Sequence, residues 1–198
     1  MTTAIIFDLG GVFINLDLQK SQNAFRQMGL RELDADLKQS NADFEIGAIS
    51  ENDFLNNFQK KIPKATLDQI KMAWNFVIGD FPEYRLDFLK ALSTKYPLYL
   101  LSNTDQIHIQ YFKQKVGEKF FKDFENCFQK IYFSFEIGQR KPNAAVFELV
   151  LRDQNLKAAE TLFVDDKLEN VEAAKKLGLQ IWHLKGGHED VVDLSISK

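Results

Sequence analysis

The sequence predicts an α/β fold: a parallel sheet with a helical segment inserted after its first strand. Three observations carry this expectation. Short apolar, β-branched runs recur along the chain, helix-like segments separate them, and the longest separation, before Leu98, is itself helical in pattern. The length of 198 residues suits one domain, or a domain with a small insert.

The predicted strands are Ala4 to Phe7, Leu98 to Leu101, Lys130 to Phe133, Thr161 to Val164 and Gln180 to His183. After the first of them, Leu16 to Met28 has apolar spacing near three and four and ends at Gly29. Ser50 reads as a helix N-cap with Asp53 three residues on, and Phe54, Leu55 and Phe58 then share a face. Thr66 to Val77 reads as another helix. Pro82 stands near the start of a further one, about 83–93, that leads back to the sheet. Residues 15–80 are thus expected to form a helical cap over the sheet's carboxyl edge, with 1–14 and 81–198 as the core domain. The alternative is that these helices pack on one sheet face. Thr2 and the end after Leu194 read as frayed.

Composition narrows the function classes. Apolar residues make up 45% and charged ones 27%, as in globular proteins, and eighteen phenylalanines predict an aromatic-rich core. Net charge is −3 with lysines scattered among acids, so no basic stripe marks a nucleic-acid partner. Cys127 is the single cysteine, which excludes an internal disulfide and makes a reducing compartment the default. With no basic-then-apolar leader and no run approaching ~18 apolar residues, a cytoplasmic protein without a membrane span is expected. No heptad or apolar stripe defines an oligomeric state.

Four segments carry candidate chemistry. Asp8 follows the first strand and precedes Gly10 and Gly11. A carboxylate at the carboxyl end of an interior strand stands at the edge where α/β sheets bind ligands, and suits a nucleophile or a metal ligand. Ordinary Asp-Gly turn chemistry is the alternative. Ser102-Asn103-Thr104 closes the second strand, offering a hydroxyl and backbone N–H groups to a phosphate, or else a helix cap. Pro142 suits the first turn of a helix, which puts Lys141 just before it. A cation there opposes the helix dipole unless an anion lies between them. The alternative is an exposed lysine. Asp165 and Asp166 end the fourth strand and repel each other, which a nearby cation relieves, and hard oxygen ligands suit Mg²⁺. Asn170, one turn beyond Asp166, can brace an acid. The alternative is an N-cap with an extra acid. Taken in order, a carboxylate, a hydroxyl, a lysine and a carboxylate pair compose a phosphoryl-transfer centre.

In that order, Asp8-Leu9-Gly10-Gly11-Val12, Ser102-Asn103, Lys141-Pro142 and Asp165-Asp166 resemble the four motifs of the haloacid dehalogenase-like hydrolase superfamily. The resemblance spans almost the whole chain. It is nearest to C1-capped members of the bacterial branch whose first motif reads Asp-Leu-Gly-(Gly/Asn)-Val, a branch that includes α-D-glucose-1-phosphate phosphatases. Phe44 to Ser50 is similar to that branch's cap. The resemblance implies a Rossmann-like core and an Mg²⁺-dependent phosphatase of a small phosphorylated metabolite, with a sugar phosphate among the candidates. Asp8 would be the nucleophile and form an aspartyl-phosphate. Asp8, the Gly10 carbonyl and Asp166 would hold Mg²⁺, with Asp165 and Asn170 in support. Ser102, Asn103 and Lys141 would bind the phosphate, and Lys141 would also neutralise charge near Asp8.

The chain departs from the pattern at Gly10. Most phosphatases of the superfamily carry an aspartate there as general acid and base, a contribution typically worth ~10²–10⁴ in rate. Two other readings therefore stand beside the phosphatase: a non-catalytic module that binds phosphate or protein, and a metal-free 2-haloacid dehalogenase, against which Asp165-Asp166 speaks. Asn15, Asp17, Phe44 and Glu45 are candidates to face the cleft from the cap. His108 reads as a surface helix residue, and Trp74, Trp182 and His183 as core or surface.

Overall fold

The computed structural model describes residues 1–196. Its elements in chain order are β1 (Ala4–Phe7), α1 (Leu18–Gln27), α2 (Ala35–Glu45), α3 (Glu51–Lys61), α4 (Leu67–Asn75), α5 (Glu83–Ser93), β2 (Leu98–Ser102), α6 (Gln106–Val116), α7 (Glu118–Glu125), β3 (Lys130–Phe133), α8 (Ser134–Ile137), α9 (Ala144–Asp153), β4 (Thr161–Asp165), α10 (Leu168–Lys176) and β5 (Gln180–His183). The five strands form one parallel sheet in the order β3-β2-β1-β4-β5. The chain runs outward from β1 through β2 and β3, then returns to the other side for β4 and β5. That reversal opens a crevice at the carboxyl end of β1, the place where such sheets bind ligands.

Side chains alternate across the sheet as a period of two demands. Ile5, Phe7, Leu98, Leu100, Leu162 and Val164 face one layer, where Leu86 and Leu89 of α5, Phe112 of α6 and Phe121 and Phe124 of α7 cover them. Ala4, Ile6, Tyr99, Leu101 and Phe163 face the other, under Val146, Phe147 and Val150 of α9 and Ala174 of α10. Burial on both faces explains why these strands read as unbroken apolar runs. Phenylalanine does much of the filling: the Phe13 ring lies 5.2 Å from Phe7 and 6.0 Å from Phe81, and Phe81 stacks on Phe112 at 5.9 Å.

The helices between β1 and α5 build a third apolar cluster. Phe25, Leu37, Phe44, Phe54, Phe58 and Ile70 meet there, joined by Ile107 from α6. Phe54 stacks on Phe44 at 4.3 Å and meets the Trp74 ring edge-on at 4.9 Å. The N-caps follow from sequence: Asp17, Asp34, Ser50 and Thr66 each accept a backbone N–H of the first turn, and Thr66 with Gln69 completes a capping box. Two chain crossings join this insert to the sheet and bond to each other. Asn15 N–H donates to Asp80 O at 2.9 Å, Gly79 N–H to Asn15 O at 2.8 Å and Asp17 N–H to Val77 O at 2.9 Å. Arg85 of α5 clamps the first crossing through Phe13 O and Asn15 Oδ1, and its guanidinium pairs with Asp190 at 2.8 Å.

Three expectations change. Thr2 is not frayed: its hydroxyl donates to Gln180 Oε1 at 2.7 Å and the residue is buried. Of the tail after Leu194, Ile196 packs on the first cluster, and residues 197–198 lie outside the described residues. Pro142 does not open a helix. Asn143 caps α9, which begins at Ala144, and the Lys141–Pro142 peptide is cis.

Candidate active site

Strand registry assembles the polar centre. Phe7 pairs with Leu100 on one side and Val164 on the other, so Asp8, Ser102 and Asp165 emerge together at the carboxyl edge. Lys141 arrives from the loop between α8 and α9. Although 1% exposed, it is fully engaged: Nζ donates to Asp165 Oδ2 and to Leu101 O, each at 2.7 Å, and stands 2.9 Å from Asp8 Oδ1. The expectation of a helix-start lysine is therefore corrected. Lys141 belongs to the strand ends, and the two carboxylates, not a dipole, account for its burial.

Electrostatics follow from that packing. Burial raises the Asp8 carboxyl from 3.8 to about 6, with Lys141 opposing the rise and Asp165 adding to it. Burial works against the charge on Lys141, but Asp8 and Asp165 outweigh it and lift its pKa above the ordinary lysine range. The adjacent acids have unlike surroundings. Asp165 is wholly buried and saturated: Oδ1 accepts from Lys167 N–H at 2.8 Å, Oδ2 accepts from Lys141, and Asn170 Nδ2 reaches both oxygens at 3.1 and 3.0 Å. Asp166 keeps a buried Oδ1 with no hydrogen-bond partner, and burial together with the charge of Asp165 raises its pKa. Oxygens of Asp8, Asp165 and Asp166 lie within 4.8 Å of one another. Such a cluster, with one oxygen unpartnered, fits a divalent cation.

The loop after β1 closes on this cluster. At Gly11, φ is +76°, and a Cβ there would stand 2.3 Å from Asp166 Oδ2, so only glycine allows the approach. Asn103 lines the cavity, and its side chain is occupied: the amide donates to Lys141 O at 2.8 Å and accepts from Lys141 N–H at 2.9 Å, which braces the lysine's main chain and leaves the Asn103 backbone N–H as the group that could meet a phosphate.

Above the cluster lies a cavity of about 540 Å³ between sheet edge and insert, with Asp8, Gly10, Ser102, Lys141 and Asn170 at its floor. Leu16, Leu18, Phe25 and Trp74 are among its apolar wall residues. Of the four side chains expected to face the cleft, Glu45 lines it. Asn15 is bonded to Asp80, Asp17 caps α1, and Phe44 is buried in the insert. Trp74 and His108, passed over in the sequence, both line the cavity. Their rings stack at 5.2 Å, Trp74 Nε1 donates to Asp105 Oδ2 at 2.9 Å, and His108 Nδ1 lies 3.0 Å from Asn75 Oδ1. Burial lowers the His108 pKa, and Asp105 opposes that shift. No periodicity announces this pairing, because its partners lie some thirty residues apart on different helices.

Comparison with known proteins agrees with the geometry. A family model described as haloacid dehalogenase-like hydrolase matches residues 2–178. The chain belongs to that hydrolase family. A D-ribitol-5-phosphate phosphatase of Bacteroides thetaiotaomicron is 27% identical over 202 residues, 99% of this chain and 98% of that protein. A family enzyme of the same organism, solved with magnesium and inorganic phosphate, superposes with a TM-score of 0.86 at 32% identity, covering 96% of this chain and 97% of the other. A HAD-like family hydrolase of Porphyromonas gingivalis gives 0.81 at 30% identity, covering 95% and 93%. No helix among the described residues is long and apolar enough to cross a membrane.

Proposed function

We propose that the protein is an Mg²⁺-dependent phosphatase that hydrolyses a small phosphorylated metabolite, a sugar or polyol phosphate such as α-glucose 1-phosphate, through an aspartyl-phosphate on Asp8. One observation carries the reading: a carboxylate, a buried lysine and a second carboxylate pair meet at the strand ends beneath a cavity large enough for such a substrate. The relatives of known name and content lend it support.

Asp8 attacks phosphorus, and the ester bond breaks. Lys141 neutralises charge beside Asp8 and, with the Ser102 hydroxyl, contacts the phosphoryl oxygens. Asn103 keeps Lys141 in place from its main chain. Asp8, the Gly10 carbonyl and Asp166 would hold the Mg²⁺, while Asp165 and Asn170 support from beneath. When bound there, the ion would supply charge that screens the repulsion between carboxylate and phosphate. Residues 15–80 act as the cap that selects the substrate.

The test is phosphate release from a panel that includes α-glucose 1-phosphate and ribitol 5-phosphate, with Mg²⁺ and with chelator. Release that depends on the metal is expected. A folded, Mg²⁺-binding protein that releases phosphate from none of the panel would overturn the reading in favour of a binding module. Halide release from a 2-haloacid in chelator would overturn it in favour of a dehalogenase.

A further inference from the structure

Gly10 leaves the departing alcohol without an acid at the position where the superfamily's phosphatases commonly supply one. The space beside it is apolar: a Cβ on Gly10 would meet the Leu16 methyls at 3.3 and 3.6 Å. The proton then comes from water, from the substrate or from another wall of the cavity. Outside the Asp8, Asp165 and Asp166 cluster, two carboxyl side chains line that cavity among the described residues, Glu32 and Glu45. Glu32 is exposed in the turn between α1 and α2. Glu45 sits in the last turn of α2, with its side chain 18% exposed.

The turn after Glu45 is pressed onto the core. Gly47 has φ +69°, and a Cβ there would stand 2.3 Å from Phe135 O of α8. Glycine thus lets α2 deliver Glu45 to the seam between insert and sheet edge. Four groups face the carboxyl there. Arg140, next to Lys141, places Nη1 2.8 Å from Oε2; Lys167 approaches from the turn after β4; Asp105 lies at the start of α6; and Asn41 stands one turn back on α2. The contact with Arg140 brings charges together without an aligned hydrogen bond, since Oε2 has no such partner. The Arg140 side chain is 37% exposed, so water screens its hold.

We propose that Glu45 is the general acid and base of this enzyme, supplying from the insert the proton that Gly10 cannot. This rests on the phosphatase reading above. Burial raises the carboxyl's pKa despite Arg140 and Lys167, and Asp105 adds to the rise, which keeps a protonated fraction closer to neutral pH. In the first step the Asp8 oxygen bonds to phosphorus while the bond from phosphorus to the ester oxygen breaks. That oxygen takes the Glu45 proton and leaves as an alcohol. In the second step the Glu45 carboxylate takes a proton from water as the water oxygen bonds to phosphorus. The bond between Asp8 and phosphorus breaks, and inorganic phosphate and the starting enzyme result.

The experiment compares kcat/KM, which ends at departure of the leaving group, for an alkyl phosphate and for p-nitrophenyl phosphate, whose phenolate leaves without a proton. Glu45→Gln is expected to lower kcat/KM for the alkyl phosphate by about 10²–10⁴ and to leave the aryl phosphate within a few-fold. It should also abolish the alkaline decline of kcat/KM with the alkyl substrate. Equal losses on both substrates would overturn the proposal and leave Glu45 as a brace of the Arg140–Lys141 loop. No loss on either would overturn it as well. Glu45→Asp retains a carboxyl and should exceed Glu45→Gln on the alkyl phosphate, and equality of the two would count against proton transfer even if both variants are destabilised. A wild-type protein that turns over neither substrate would instead bring down the phosphatase reading, and the proposal with it.

Discussion

The carboxyl edge of the sheet and the helical insert are built on opposite plans. At the sheet edge, charged side chains are buried and tied to one another: Lys141 touches Asp8, Asp165 and Leu101 O, and the Asp165 carboxylate is held by three donors, Lys141, Lys167 N–H and Asn170. In the insert, the interior is almost purely aromatic and aliphatic, and polar groups turned toward the cavity, such as Glu45, lie at its margin. The sheet edge fixes one chemistry, because a single buried lysine serves two buried carboxylates. The insert can exchange a cavity-facing residue without disturbing its own core. The two regions thus differ in their tolerance to change.

The largest contrast is expected at the nucleophile. Asp8→Asn should reduce phosphate release to background while the thermal transition persists, since Lys141 keeps Asp165. Comparable turnover in that variant would remove Asp8 from its role. Asp166→Ala should lose activity together with its Mg²⁺ titration and cost little stability, because it deletes a buried oxygen that has no partner. An unchanged titration would shift the metal site to Asp165.

Next comes Lys141→Met. It leaves two buried carboxyls without their cation, and urea unfolding should show a loss of about 3–5 kcal/mol. A loss below about 1 kcal/mol would mean that the edge is less interdependent than its geometry implies. In the insert, Phe54→Ala removes the ring between Phe44, Phe58 and Trp74. It should also cost about 3–5 kcal/mol, but through a cavity rather than a stranded charge, so Phe54→Leu should recover most of it. Equal damage from both substitutions would contradict a packing origin.

The smallest effect belongs to the bond between Arg85 and Asp190, which ties the first chain crossing to the tail. Burial works against the Asp190 charge, yet Arg85 and Tyr84 hold its carboxyl below the ordinary range. Such a group stabilises the fold above the unfolded pKa, about 3.9, and the contribution fades as pH falls through the lower folded value. Asp190→Asn should therefore lower stability by about 1–3 kcal/mol at pH 7, and the deficit should shrink as pH falls below about 3.9. A difference that persists undiminished at pH 3 would exclude charge as its source.

The sheet was legible in the chain because burial on both faces writes itself as continuous apolar runs, and all five strands lie where those runs fall. Helices with strong caps, at Ser50 and Thr66, were legible for the same local reason. Helix α2 was not, because Leu37, Ser40 and Phe44 are its only buried residues and the pattern between them is polar. In the site, residues beyond strand ends could be anticipated, since a strand end has a direction. The burial of Lys141 could not, because the loop that carries it is positioned by Asn103, thirty-eight residues away. The division of labour between Asp165 and Asp166 was implied by the family resemblance and hinted at by the spacing to Asn170, and the stack of Trp74 on His108 has no local signature at all.

The enclosure of Lys141 also affects how the protein meets reagents. An acylating probe can reach the chain's exposed amines freely, but this one only when the strand ends part. Labelling of Lys141, followed peptide by peptide against the surface lysines, would therefore time the opening of the sheet under conditions where no substrate, metal or turnover is needed.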